Sequence, residues 1–399
     1  MSPKSRAVVL IALCQVMALA LWFSASAILP AIVGEFRLGT ARAALLSSAV
    51  QAGFVAGTLA SAVLGLADRI ESRRLFAMAA LGGAIANAAL LWVPFDSVFA
   101  VLLRGITGAC LAGVYPVGMR MIAAWAERDL GLLIGILVGA LCLGSGSPHL
   151  IHAFGGVDWR VTMLATSASA ALAAALVLLA QPGPRGRLAR RFEPRAMLAI
   201  FRDPPMRLAL GGYLGHMWEL YAMWAWLGVF LEATFRAGGE SVALARILAF
   251  AAIGLGGLVG CIGGGLLADR VGRTRLTIAA MVASGACAVM AGLVDGMGLW
   301  PITIVCLLWG LTICADSAQF SAAITELSDP ERVGTMLTMQ TCVGFTLTLA
   351  TIHLVPVVAA AWSWPVAFYL LALGPVFGVA SMAALRARPE SLRLAGGRR

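Results

Sequence analysis

The chain has 399 residues, of which 61% are hydrophobic and 12% charged, and its mean hydropathy is +0.92. No single water-soluble core can bury that much apolar side chain, so a soluble enzyme or binding domain is excluded and a lipid bilayer is the expected solvent. The formal charge of +10 is almost all arginine, with Lys4 the single lysine, and its distribution has to decide between a nucleic-acid surface and a membrane topology.

Apolar runs of about 20 residues, enough for a helix to cross about 30 Å of hydrocarbon, recur along the whole chain. They span 8–33, 42–66, 75–93, 98–124, 131–153, 159–180, 208–231, 242–267, 276–294, 299–325, 333–357 and 364–385. The runs do not alternate polar with apolar residues, so helices are predicted rather than barrel strands. The expected fold class is an all-α polytopic membrane protein with twelve transmembrane helices. Lys4, Arg6 and the first run, with Ser24-Ala25-Ser26-Ala27 behind them, imitate a secretory signal. The run is longer than a signal core, and its loss would spoil the repeat described below, so it is read as the first helix.

With the N-terminus in the cytoplasm, 23 positive residues fall on the inner side, five (Arg37, Arg42, Arg160, Arg236 and Arg246) fall outside, and Arg104 sits within a helix. The positive-inside rule then puts both termini in the cytoplasm of a multi-pass protein of the plasma (inner) membrane. The basic balance reflects topology and anionic lipid, and no nucleic-acid partner is predicted. The arginine- and proline-rich stretch 181–206 reads as a cytoplasmic linker, with a short surface helix from Pro194 to Phe201, between an N-terminal bundle (1–180) and a C-terminal bundle with a basic tail (207–399).

One motif occurs twice at half-chain spacing. Gly265-Leu266-Leu267-Ala268-Asp269-Arg270-Val271-Gly272-Arg273 follows the eighth run, and a blurred copy containing Gly65, Asp68, Arg69 and Arg73 follows the second; the two aspartates are 201 positions apart. Glycines permit close helix approach, an aspartate can face the positive end of a neighbouring helix, and arginines hold the loop at the cytoplasmic surface. The full copy resembles the signature loop of the major facilitator superfamily, and Arg104-Gly105-Ile106-Thr107-Gly108 is similar to a pattern in its proton-coupled members. The first copy departs from the pattern, with Leu64 and Glu71 at glycine positions. The resemblance implies two pseudo-symmetric six-helix bundles, alternating access, and a cavity lined by helices one, four, seven and ten. In that setting Gly65, Asp68, Arg69, Arg73, Gly265, Asp269, Arg270, Gly272 and Arg273 are a cytoplasmic gate.

Ionisable groups inside hydrocarbon are costly and therefore mark function. Arg104, Glu219 and Asp316 stand out on the fourth, seventh and tenth runs. At about 100° per residue, His216, Glu219 and Trp226 share one side of the seventh helix, and Trp309, Thr312, Asp316, Gln319 and Phe320 share one face of the tenth. These are the candidates for substrate binding and proton coupling, with Arg104 either tuning an acid or gripping an anion. The eight cysteines lie in the apolar runs without metal or redox spacing and read as small packing residues, so no metal or cofactor is predicted.

The function expected is secondary active transport of a small organic solute by a monomer, coupled to protons, with export favoured over import. The alternative is proton-coupled or facilitated uptake of a small organic anion, on the strength of Arg104 and Tyr115-Pro116. No nucleotide-binding loop is present, so ATP is not the direct energy source. Remoter readings are a non-transporting sensor and a membrane-embedded enzyme; no nucleophile and base stand at a recognised spacing, and no catalytic residue is predicted.

Overall fold

A computed structural model describes residues 2–127, 129–154, 158–184, 197–329 and 331–399; the side chain of Asp68 is outside the description. The linker arginines from Arg185 to Arg195, Arg128 and the predicted helix start at Pro194 also lie outside it. Of the predicted surface helix, the described part contains the one-turn helix Ala199–Arg202.

No strand occurs among the described residues. The long helical segments are α1 (Pro3–Phe36), α2 (Thr40–Leu64), α3 (Ser72–Trp92), α4 (Val98–Ala123), α5 (Leu130–Phe154) and α6 (Trp159–Leu179). They continue with α7 (Pro204–Ala237), α8 (Val242–Val271), α9 (Arg273–Leu293), α10 (Leu299–Leu327), α11 (Val333–Ala361) and α12 (Trp364–Ala387). By length and apolarity, 11 of these helices among the described residues can cross a membrane, not the twelve expected. The remaining segment is α7, whose 34 residues are ample in length but include His216, Glu219 and Glu232, which dilute its apolar character.

Several helices are interrupted near mid-length. α1 breaks between Leu19 and Ser24, α4 between Leu111 and Tyr115, and α10 between Cys314 and Ser317, while α8 loosens into a π-helix over Ala251–Gly256. Pro116 explains the α4 break: it donates no N–H, and its ring crowds the carbonyl one turn earlier. The break in α10 falls 203 residues after that in α4 when Cys314 is set against Leu111, close to the 201-residue repeat of the motif. The α4 and α10 interruptions are therefore equivalent, whereas α1 is broken and its counterpart α7 runs unbroken from Pro204 to Ala237.

The packing is also repeated. α2 lies against α4 so closely that a β-carbon on Gly108 would stand 1.9 Å from the Val50 carbonyl oxygen. In the second half α8 meets α10 in the same way, a β-carbon on Gly264 falling 1.9 Å from the Ala315 carbonyl oxygen. Lipid offers no hydrophobic drive between helices, so this close backbone contact is what van der Waals cohesion requires. Between the halves, α2 packs on α11 and α5 on α8. The N-terminal Lys4, the loop before α5, the second signature loop and the C-terminal tail all meet on one face, called here the terminal side.

Gly264→Val should destabilise the protein by about 1–3 kcal/mol through overpacking, whereas Gly263→Val, where a β-carbon meets nothing within 4 Å, should leave it unchanged. Thermal unfolding in detergent checks both; equal effects would contradict the packing described.

Candidate functional site

Between the first and last six helices lies a cavity of about 260 Å³. Tyr115 and Met119 of α4, Tyr213, Tyr221 and Trp224 of α7, and Phe345 of α11 give it aromatic and thioether walls. Thr58, Ser317, Ser321, Thr338 and Thr341 add hydroxyls. Among the described residues no Asp, Glu, Lys or Arg lines it, and His216 contributes an imidazole.

On the side away from the termini an aromatic cluster closes the cavity. Trp22 lies 4.8 Å from Phe54, 5.5 Å from Phe345 and 5.8 Å from Tyr221 by ring centroids, and Phe23 meets Trp224 edge-on at 5.8 Å. These rings come from α1, α2, α7 and α11, so the cluster belongs to both halves. Beyond it Ser48 and His353 join α2 to α11 at 2.9 Å, and Arg246, paired with Glu232 at 3.0 Å, reaches the His152 carbonyl of α5 at 3.5 Å.

His216 connects the cavity to the break in α10. Its Nδ1 stands 3.0 Å from the Asp316 carboxylate, and its Nε2 is 3.1 Å from the Ser317 hydroxyl. Both members of the His216–Asp316 pair are almost fully buried. Phe320 lies beside the imidazole, its ring centroid 5.3 Å away and tilted by 39°. The structure thus brings together three of the predicted residues, one from α7 and two from α10.

The other candidates go elsewhere. Glu219 is 1% exposed; it accepts from the Trp309 indole at 2.6 Å and from the Ser284 hydroxyl at 2.9 Å, tying α7 to α10 and α9 away from the cavity. Trp226 donates to the Ile352 carbonyl at 2.9 Å and borders a recess on the far side with Leu29 and Pro30. Thr312 bonds back to its own helix at the Leu308 carbonyl. One helix face in sequence becomes three environments, because each residue meets a different neighbouring helix.

Arg104 is fully buried and lies outside the cavity lining. Its Nε donates to the Leu46 carbonyl at 3.3 Å, Nη2 to the Trp22 carbonyl at 2.7 Å, and Nη1 to the Leu21 carbonyl, Ser24 and Asn87 at 3.0–3.1 Å. Leu21 and Trp22 are the break in α1, whose freed carbonyls need donors. The sequence reading weighed a proton-tuning or anion-gripping role; the guanidinium instead spends its donors on helix carbonyls and two polar side chains. Asn87, which sequence reasoning missed, is the hub: its amide donates onward to Thr166 and Ser167 of α6. An asparagine amid Ala-rich α3 was the available signal.

The gate residues lie on the terminal side. A β-carbon on Gly131, the second residue of α5, would be 3.4 Å from the Asp269 carboxylate, which therefore faces the positive end of that helix. Gly265 lets α8 approach there, a β-carbon on it falling 3.3 Å from the Gly131 carbonyl oxygen. Arg273 makes a two-pronged bond to Glu326 of α10 at 2.6 and 2.7 Å and donates to the predicted cavity residue Gln319 at 2.7 Å. Gln319 thereby joins the Arg273–Glu326 cluster and is not part of the cavity lining. Gly272 turns the chain at φ +93, where a side chain would be strained. In the first copy Gly65, at φ +62, makes the turn earlier, since Glu71 occupies the later position. Arg73 donates to the Ala180 carbonyl at 3.1 Å, and Arg69 and Arg270 are exposed. Lys4 pairs with Asp129 at 2.8 Å, and this bond holds the Asp129 carboxyl below the usual carboxylate range.

Two linked sets of helices around an interfacial cavity define a polytopic helical membrane transporter. The Major Facilitator Superfamily profile matches residues 11–348, and the chain belongs to that superfamily. The crystal structure of a mutant of the nucleoside transporter NupG shares the fold with a TM-score of 0.74, at 13% sequence identity over 95% of this chain and 99% of that one. No curated protein matches the chain.

Arg104→Lys keeps the charge but loses the planar fork. Each hydrogen bond lost from the buried charge should cost about 1.5–3 kcal/mol, read as a lowered thermal midpoint and yield, while the folded fraction retains its affinity for any cavity ligand. Unchanged stability with lost affinity would move Arg104 into the binding site.

Proposed function

We propose that the protein exports a small aromatic solute, neutral or weakly basic, in exchange for protons, by alternating access between its two halves. The observation that carries this reading is the cavity wall: rings, thioethers and hydroxyls without a fixed charge, and one imidazole backed by a carboxylate. Stacking on Tyr115, Tyr221, Trp224 and Phe345 suits a planar cargo, and the hydroxyls orient it. Uptake of an organic anion finds less support, since Arg104 is bonded elsewhere and, among the described residues, no Lys or Arg borders the cavity.

His216 is the proton carrier in this scheme, with Asp316 as its fixed counter-charge. Protonated, the pair is neutral overall and tolerates closure; deprotonated, it leaves a buried carboxylate unpaired and favours a hydrated cavity. Cargo bound at the imidazole and the proton therefore compete for one group. The halves are residues 1–180 and 207–399, joined by the linker 181–206, and α7 is the twelfth crossing. The arginine distribution supports the reading in which both termini are cytoplasmic, and in this scheme the protein works as a monomer in the plasma (inner) membrane.

Asp269 and Arg273 act as a latch on the terminal side. Glu326→Gln, which weakens the Arg273 clamp, should slow turnover at least tenfold while changing cargo affinity less than threefold; a loss confined to affinity would contradict the latch.

The function itself is tested in proteoliposomes with cargo chosen by thermal stabilisation from neutral, basic and anionic aromatic compounds. A pH gradient should drive flux of a neutral or basic hit, and His216→Gln and Asp316→Asn should each reduce that driven flux at least tenfold while sparing cargo exchange. Undiminished driven flux in both variants would sink the coupling assignment, and stabilisation by anions alone would sink the cargo class.

A further inference from the structure

Three cysteines far apart in sequence converge at mid-depth between the halves. Cys142 of α5 lies 3.7 Å, sulfur to sulfur, from both Cys261 of α8 and Cys314 of α10, and the three sulfurs all fall within 4.8 Å of one another. All three are buried free thiols. The convergence depends on Gly257, where a β-carbon would stand 2.6 Å from that of Cys142 and 3.2 Å from the Cys314 sulfur. Packing alone asks only for small side chains here; alanine or serine would serve, and neither would place three sulfurs around one point.

We propose that Cys142, Cys261 and Cys314 form a three-sulfur binding site for a soft monovalent d¹⁰ cation of the Cu(I) or Ag(I) kind. Three sulfurs held at about 2.3 Å from one ion in a plane stand about 4 Å apart, close to the spacing in place before any ion binds. Soft sulfur ligands select Cu(I) over harder ions, and a set of three offers no fourth arm for tetrahedral zinc. A monovalent ion need displace only one thiol proton, which leaves the buried site uncharged; a divalent ion would need two. Cys142 is also part of the cavity wall, which gives the ion a route to an otherwise sealed cluster.

The position has a mechanical consequence. The ligands come from α5 in the first half and from α8 and α10 in the second, so a bound ion fastens the two halves together beside the cavity. Its binding should raise thermal stability and slow transport. This inference is independent of the cargo and of proton coupling, since it uses none of the cavity's hydrogen-bonding groups.

The test uses the purified full-length protein, reduced and kept under anaerobic conditions, titrated with Cu(I) against a chromophoric Cu(I) chelator. The wild type should withhold one ion per chain from the chelator, and Cys142→Ala, Cys261→Ala and Cys314→Ala should each weaken that binding at least tenfold. Cys287→Ala, at a cysteine outside the cluster, should bind as the wild type does. Equal copper retention by the wild type and all three cluster variants would overturn the site. Should the variants fold poorly, X-ray absorption on the copper-loaded wild type decides: a first shell of three sulfurs supports the proposal, and a shell of nitrogen or oxygen overturns it.

Discussion

A guanidinium buried in a membrane protein must have its donors answered, and the way Arg104 is answered organises the first half of this molecule. Its bonds to the Leu21 and Trp22 carbonyls stabilise a break in α1 that contains neither proline nor glycine. The break turns Trp22 and Phe23 toward the second half, where they meet Tyr221, Trp224 and Phe345. That cluster closes one end of the cavity. The costly charge is therefore connected to the cavity through backbone carbonyls and rings, without touching it.

The other buried charges are sorted by what surrounds them. Glu219 is satisfied by an indole and a hydroxyl and cements three helices of the second half, whereas Asp316 faces an imidazole that borders the cavity. The latter arrangement sets a buried carboxylate against a side chain that borders the cavity. On the terminal side the charges are exposed or half-buried, and their individual worth is small. Their value lies in geometry: Arg273 spans α9 and α10, and Asp269 faces the start of α5, so the proposed latch lies at the α5–α8 contact between the halves.

The fold was legible because lipid imposes a length on every crossing and the signature loop recurs at half-chain spacing. The same hydropathy rule failed to register α7 in the structure, where polar residues concentrate on a helix that is buried by protein. The site was half legible. His216, Asp316 and Phe320 were visible as a polar and aromatic pattern, but periodicity could not reveal that Glu219 meets α9 and α10, or that Trp226 meets α11. Arg104 drew notice as a charge in hydrocarbon, yet its carbonyl partners appear only when α1 is seen to be broken. Tyr213, Tyr221 and Phe345 carry no sequence signal that separates a cavity wall from ordinary packing, and the converging cysteines are invisible to spacing because they come from three helices.

Paired α2–α11 and α5–α8 contacts beside a cavity bordered on the far side by shared aromatics form the interface about which the proposed alternating access would rock the two halves. Spin labels at Thr40 and Ala360 on the far side, and at Leu64 and Gly334 on the terminal side, read that motion directly by pulsed electron resonance in nanodiscs. As the pH is lowered from about 8 to about 5, the far-side distance should lengthen as the terminal-side distance shortens, with two populations exchanging weight. Distances that lengthen together, or that do not respond at either end, would contradict a rocking mechanism about this interface.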